Sequence, residues 1–211
     1  TPGQFFMIRP ATGSDPLLTF VDQSGSGVAV SLDGSVRGAS VARAGANAAV
    51  FEGAFPGVDV EYVVLPDGVK ETLVLRESSA PSEYTFRLRT VSSEKLRVED
   101  IDGIVSIYAE GTWIPLVSLV PPTVGDSSGV EQTAPSSGAP SVWTPAPGKV
   151  SMRASLESDG GVKVVVSIDE KWLRATERVF PVILDPTYVA SPDIADGYYD
   201  TTGGGTPVLD A

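Results

Sequence analysis

The sequence predicts an all-β protein: an antiparallel two-sheet sandwich that carries a long Pro/Ser/Gly-rich insertion. Three observations predict it. Apolar patches of strand length are separated by turn residues along most of the chain. Several of them alternate apolar and polar side chains, the period of a sheet with one buried and one wetted face. No long stretch keeps an apolar stripe at the 3.6-residue spacing of a helix.

In chain order, Phe5 to Ile8 ends at Arg9-Pro10, and Leu17 to Val21 ends in Asp22-Gln23-Ser24-Gly25. Val28 to Leu32 closes on Asp33-Gly34, a pair that marks a hairpin because glycine takes positive φ at no steric cost. Val36 to Ala49 is alanine-rich, but Gly38 and Gly45 interrupt it and it is read as non-helical. The clearest hairpin sets Val58, Val60, Tyr62 and Val64 against Asp59, Glu61 and Val63, turns at Pro66-Asp67-Gly68, and returns through Val69, Glu71, Leu73 and Leu75. Tyr84, Phe86 and Leu88 alternate with Thr85, Arg87 and Arg89. Leu96 to Val98 and Ile104 to Tyr108 flank Asp102-Gly103, and Trp113 to Leu116 reads as an edge strand because Pro115 cannot donate to a ladder.

From Pro121 to Pro147 the composition turns to Pro, Ser, Gly and Thr, the mark of a surface excursion. Beyond it Lys149 to Leu156 and Val162 to Ile168 make a hairpin, Glu170 to Thr176 supplies a helical turn, and Val179 to Leu184 is a strand ending at Asp185-Pro186. The expected organisation is one sandwich over residues 1–187, with 121–147 as an insertion or linker that can divide it into two subdomains. Residues 188–211 form a turn-rich tail or the start of a following module.

Composition excludes several chemistries. The 211 residues contain no histidine and no cysteine, so imidazole general bases, thiol nucleophiles, disulfides and the strongest zinc ligands are all missing. No Gly-x-Ser-x-Gly elbow occurs. A formal charge of −12 repels phosphate backbones, so no nucleic-acid partner is expected. Apolar runs such as Leu116 to Val120 are too short to span a bilayer. Thr1-Pro2-Gly3 carries no signal pattern, and the chain reads as a mature or excised segment of an extracellular or cell-surface bacterial protein.

Three segments together suggest a family. They are Phe55 to Tyr62 (FPGVDVEY), Gly68 to Leu75 (GVKETLVL) and Val179 to Thr187 (VFPVILDPT). Their order resembles a β-rich region near the start of large exported bacterial surface proteins that carry Rhs/YD repeats, DNRLRE-type modules or SBBP-type repeats. Ala195 to Asp200 looks like the opening of a DNRLRE-type module. The likeness covers roughly residues 50–200, and its motifs are strand and turn motifs. It implies a scaffold module with no catalytic residues to carry over.

Candidate chemistry is sparse. Asp185-Pro186 resembles the Asp-Pro pair at which Rhs-type proteins process themselves, but Thr187-Tyr188 follows it where that motif has Gly-Leu; a strand-terminating turn is the plainer reading. Asp59, Glu61 and Glu71 on adjoining strands invite an acid–base pair of the glycosidase kind, against which stands charge pairing with Lys70. Asp193, Asp196, Asp200 and Asp210 offer oxygen ligands to calcium, although their spacing is not that of an EF-hand; no other cofactor is expected. Trp113, Trp143, Trp172, Tyr198 and Tyr199 are candidates for a stacking platform, with Trp143, Tyr198 and Tyr199 the expected glycan or partner contacts.

The functional expectation is a structural, assembly or adhesion module, not an enzyme, that pairs through strand edges with copies of itself in a filament or with a cell-surface partner. The segment Asp193 to Ala211 would supply a donated strand. The alternative is a carbohydrate-binding module that anchors a larger protein to cell-wall glycan.

Overall fold

The computed structural model describes residues 5–10, 16–21, 25–34, 40–43, 47–65, 68–128, 131–132, 142–143, 146–189 and 196–199. The strands in chain order are β1 (Phe5–Pro10), β2 (Pro16–Val21), β3 (Gly27–Leu32), β4 (Ser40–Arg43) and β5 (Ala48–Phe55). They continue as β6 (Val58–Leu65), β7 (Gly68–Leu75), β8 (Glu83–Thr90), β9 (Leu96–Ile101) and β10 (Ile104–Ala109). Next come β11 (Val117–Leu119), β12 (Thr123–Asp126), β13 (Glu131–Gln132), β14 (Val142–Trp143) and β15 (Ala146–Pro147). The last are β16 (Val150–Leu156), β17 (Val162–Ile168), β18 (Val182–Asp185), β19 (Thr187–Val189) and β20 (Asp196–Tyr199). The helical turn α1 (Glu170–Leu173) is the one helix among the described residues, capped by the Asp169 carboxylate accepting from the Trp172 N–H at 2.8 Å.

The all-β, two-sheet fold is as the sequence predicts. One sheet runs β16-β17-β8-β3-β2-β1-β20 and is antiparallel apart from the parallel β1–β20 pair. Thus the tail's described strand pairs inside its own chain. The second sheet has β7 at its centre: β6, β5 and β4 extend from one edge of β7, while β18 and β19 lie end to end along the other. Beyond these two, β18 pairs β12 and β19 pairs β11, which leads on to β10 and β9. The segment read as a Pro121–Pro147 excursion therefore contributes β12 to the sheet.

Alternation decides which face is buried. Val28, Val30 and Leu32 of β3, Tyr84, Phe86 and Leu88 of β8, and Val162, Val164 and Val166 of β17 turn inward. They meet Val58, Val60 and Tyr62 of β6, Val69, Leu73 and Leu75 of β7, and Val105 and Ile107 of β10 in one continuous core. Rings knit the layers: Tyr188 of β19 lies 5.8 Å from Phe20 and 6.4 Å from Phe86, and Phe55 packs edge-on to Tyr84 at 5.4 Å. The wetted face of the first sheet holds Arg87 between Asp33 and Glu157, and Arg89 beside Asp159.

Local chemistry departs from expectation at Trp113 to Leu116. That stretch is a loop and β11 begins only at Val117. Trp113 is 89% exposed and Ile114 58%, so their hydrophobicity was no sign of a paired strand. In β5 the register slips between Phe51 and Phe55, and the bulge is held by the Gly53 N–H donating to Asp59 Oδ1 at 2.8 Å.

Candidate functional site

The densest concentration of unusual chemistry lies on β7. Glu71 shares the parity of Val69, Leu73 and Leu75, so the pleat turns a carboxyl into the core, where it is fully buried. Tyr62, directly opposite on β6, donates its hydroxyl to Glu71 Oε1 at 2.6 Å. Tyr188, opposite Val69 on β19, brings a second hydroxyl up to the same carboxyl. Neither Glu71 Oε2 nor Tyr188 Oη completes a hydrogen bond.

Burial governs the electrostatics. Removal from water pushes the Glu71 carboxyl up to about 7, against which the two tyrosine hydroxyls act, while the neighbouring charge of Asp185 adds to the rise. Burial likewise holds the Tyr62 and Tyr188 hydroxyls well above the usual phenol range, helped by Glu71. A carboxyl so placed is able to keep its proton near neutrality and to donate as well as accept.

The three carboxylates proposed from sequence do not form a pair. Asp59 and Glu61 share the opposite parity from Tyr62, so the sheet itself separates them from Glu71. Asp59 is engaged by the Arg76 guanidinium, with Nε at 2.7 Å. Lys70 does not neutralise any of the three: its ammonium lies 2.7 Å from Asp185. Asp185 also accepts from the Thr187 hydroxyl at 3.1 Å, so the Asp185-Pro186 pair is tied down where one strand gives way to the next.

The aromatic candidates disperse. Trp113 stands on the second sheet's outer side, where Arg97 lies over Tyr108 at 4.1 Å and near Trp113 at 5.9 Å. Trp172 stacks under Arg178 at 4.2 Å, at a different place in the fold. Trp143 lies in β14 and Tyr198 and Tyr199 in β20, but their side chains fall outside the described residues. Of the calcium candidates, Asp193, Asp200 and Asp210 also fall outside, as does the side chain of Asp196. Among the described residues no group of three or more acidic side chains is placed to hold a metal ion.

Three curated proteins resemble this chain. The tRNA nuclease WapA of Bacillus subtilis is 28% identical over 159 residues, which is 74% of this chain and 6% of that protein. The tRNA(Glu)-specific nuclease WapA of Bacillus subtilis subsp. natto matches at 28%, and the tRNA3(Ser)-specific nuclease WapA of Bacillus spizizenii at 27%, with the same coverage. The chain thus spans about 6% of the length of these relatives. No family model matches it, and no solved structure does.

These relatives correct the functional expectations. Proteins that share this region are named as nucleases, against the expected non-catalytic structural, adhesion or filament module and its glycan-binding alternative. They are named for tRNA, against the expectation of no nucleic-acid partner. The difference is one of scale. A charge of −12 and the lack of histidine describe this chain alone, whereas the relatives' names describe polypeptides of which such a region is a small part. Among the described residues no helix is long and apolar enough to cross a membrane.

Tyr62 and Tyr188 as partners of Glu71, and the pairing of Asp126 with Arg178, go beyond the expectations from sequence. Glu71 was findable: a single acid on an otherwise apolar strand face is a buried carboxyl in search of a donor.

Proposed function

We propose that this chain is a region of a WapA-like nuclease polypeptide directed at tRNA. The observation that carries the reading is the match over 159 residues to three proteins, each named as a tRNA nuclease. Cleavage of tRNA is a property of the whole polypeptide, and the two-sheet body contributes to it as a folded region. The likeness of FPGVDVEY, GVKETLVL and VFPVILDPT to large exported bacterial proteins with Rhs/YD repeats supports an extracellular or cell-surface destination.

The test uses the complete gene product that contains this sequence. Incubated with total tRNA, it should yield discrete fragments, and fractionation of the producing cells should place it in the wall or the medium. Intact tRNA under conditions where a WapA nuclease cleaves would overturn the reading.

A further inference from the structure

The ladder of the second sheet is interrupted directly over Glu71. The register between β7 and the β18–β19 pair does not slip: Leu184 lies opposite Leu73 and Thr187 opposite Lys70, which sets Pro186 opposite Glu71. Proline has no N–H to donate there. One strand further out the same break recurs, because Pro121-Pro122 separates β11 from β12, whose partners are β19 and β18. The Val120 N–H still reaches the Thr187 carbonyl at 3.1 Å, so the strands stay together beside a line of missing donors.

Under this line lies a carboxyl with one oxygen unpartnered and, beside it, an unpartnered tyrosine hydroxyl. The groups that act on it are Tyr62 from β6, Tyr188 from β19 and Asp185 from β18. Lys70, the charged neighbour on its own strand, is engaged with Asp185 on the wetted side. From the facing sheet the rings of Phe20 and Phe86 pack on Tyr188. Among the described residues no cation acts on Glu71 to compensate its ionised form.

We propose that the crossing of Pro186 over Glu71 is a proton-operated seam: β18 and β19 stay seated on β7 while Glu71 is neutral, and loosen to admit water when it ionises. As the neutral acid, Glu71 keeps its proton and accepts from Tyr62 through Oε1, while its Oε2 and the Tyr188 Oη have no partner. Loss of that proton to solvent leaves a charge that, among the described residues, meets only phenol hydroxyls in the core, and hydration is the stronger relief. Water enters where the ladder is already interrupted. The upward displacement of the carboxyl to about 7 places the transition near neutral pH.

Amide hydrogen exchange, corrected for the intrinsic effect of pH, tests this on the folded protein at about pH 5 and about pH 8. Protection over Val182–Val189 should fall roughly tenfold or more at the higher pH, while Val162–Ile168 in the facing sheet keeps its protection. Glu71→Gln, which cannot ionise, should abolish the difference. An equal loss in Glu71→Gln, a loss shared by β17, or no loss in the parent overturns the proposal. Should Glu71→Gln fail to fold, carbon-13 titration of the parent's Glu71 carboxyl decides: a midpoint below about pH 5 overturns it, and one near neutrality sustains it.

Discussion

Arg178 and Asp126 form an ion pair that water hardly reaches, their side chains being 10% and 1% exposed. The pair joins the end of β12 to the segment that leads into β18. Asp126 also accepts from the Ser128 N–H at 3.1 Å, the Ser128 hydroxyl at 2.5 Å and the Val179 N–H at 3.3 Å. Arg178 donates from Nε to the Trp172 carbonyl at 3.0 Å while its plane lies over the Trp172 ring. Removing one partner strands the other. Arg178→Ala should therefore cost about 3 kcal/mol or more in urea denaturation, because an uncompensated buried carboxylate remains. Arg178→Lys should recover only part, since an ammonium cannot both stack and fork. A cost under about 1 kcal/mol for Arg178→Ala would show that Asp126 finds water instead.

Acid and base should act on this fold through different residues. Burial alone would raise the Asp126 carboxyl, but Ser128, Val179 and Arg178 together hold it below its ordinary value. Its contribution is present above the unfolded value of 3.8 and is lost as pH falls further. Glu71 has the opposite sign. Its carboxyl is raised from 4.5 to about 7, so its contribution is complete below 4.5 and is lost as pH rises towards 7. Over that window the loss should be on the order of 3 kcal/mol. Denaturation midpoints of the parent and Glu71→Gln, compared from about pH 4 to about pH 8, should thus lie close together at the acid end and diverge as pH rises, the parent falling relative to Glu71→Gln. Curves that stay parallel would show that Glu71 does not titrate in this range.

How much of this was legible in the sequence depends on what each residue type constrains. The β6–β7 hairpin was, because period-two alternation and a turn between Leu65 and Gly68 fix its register. The same alternation already put Glu71 among Val69, Leu73 and Leu75, so its burial was in plain view. Its partners were not. Tyr188 reaches Glu71 only because β19 continues the line of β18 along one edge of β7, a pairing more than 110 residues away in sequence that no local pattern encodes. Thr123–Asp126 was hidden for another reason: its flanks are rich in Pro, Ser and Gly, and a strand of four residues carries too short a pattern to stand out.

The two described tryptophan side chains should separate cleanly. Trp113 is nearly free of the protein, touching Arg97 from one side, so Trp113→Ala should change stability by less than about 1 kcal/mol. Trp172 lies against Arg178 and against the backbone at Gly148, where an added Cβ would come within 2.6 Å of the indole. Trp172→Ala should cost about 2 to 3 kcal/mol, since it opens a void and removes the plane that orients Arg178. Equal effects of the two substitutions would contradict the packing described for α1.

Two glycines offer a final contrast between a backbone collision and a backbone angle. At Gly68 an added Cβ would come 2.2 Å from the Tyr188 carbonyl oxygen, a distance no side-chain rotation relieves. Gly68→Ala should force β19 away from β7 and cost about 3 kcal/mol. Gly53 has φ of +64° with nothing within 4 Å of the added atom. There Ala meets only the left-handed backbone penalty, about 1 to 2 kcal/mol. Because β19 carries Tyr188, Gly68→Ala should also shift the pH midpoint of Glu71, whereas Gly53→Ala should leave it in place. Thermal unfolding of both variants at about pH 5 and about pH 8 separates the cases, and a pH-dependent cost at Gly53 alone would refute the placement of Tyr188 beside Glu71.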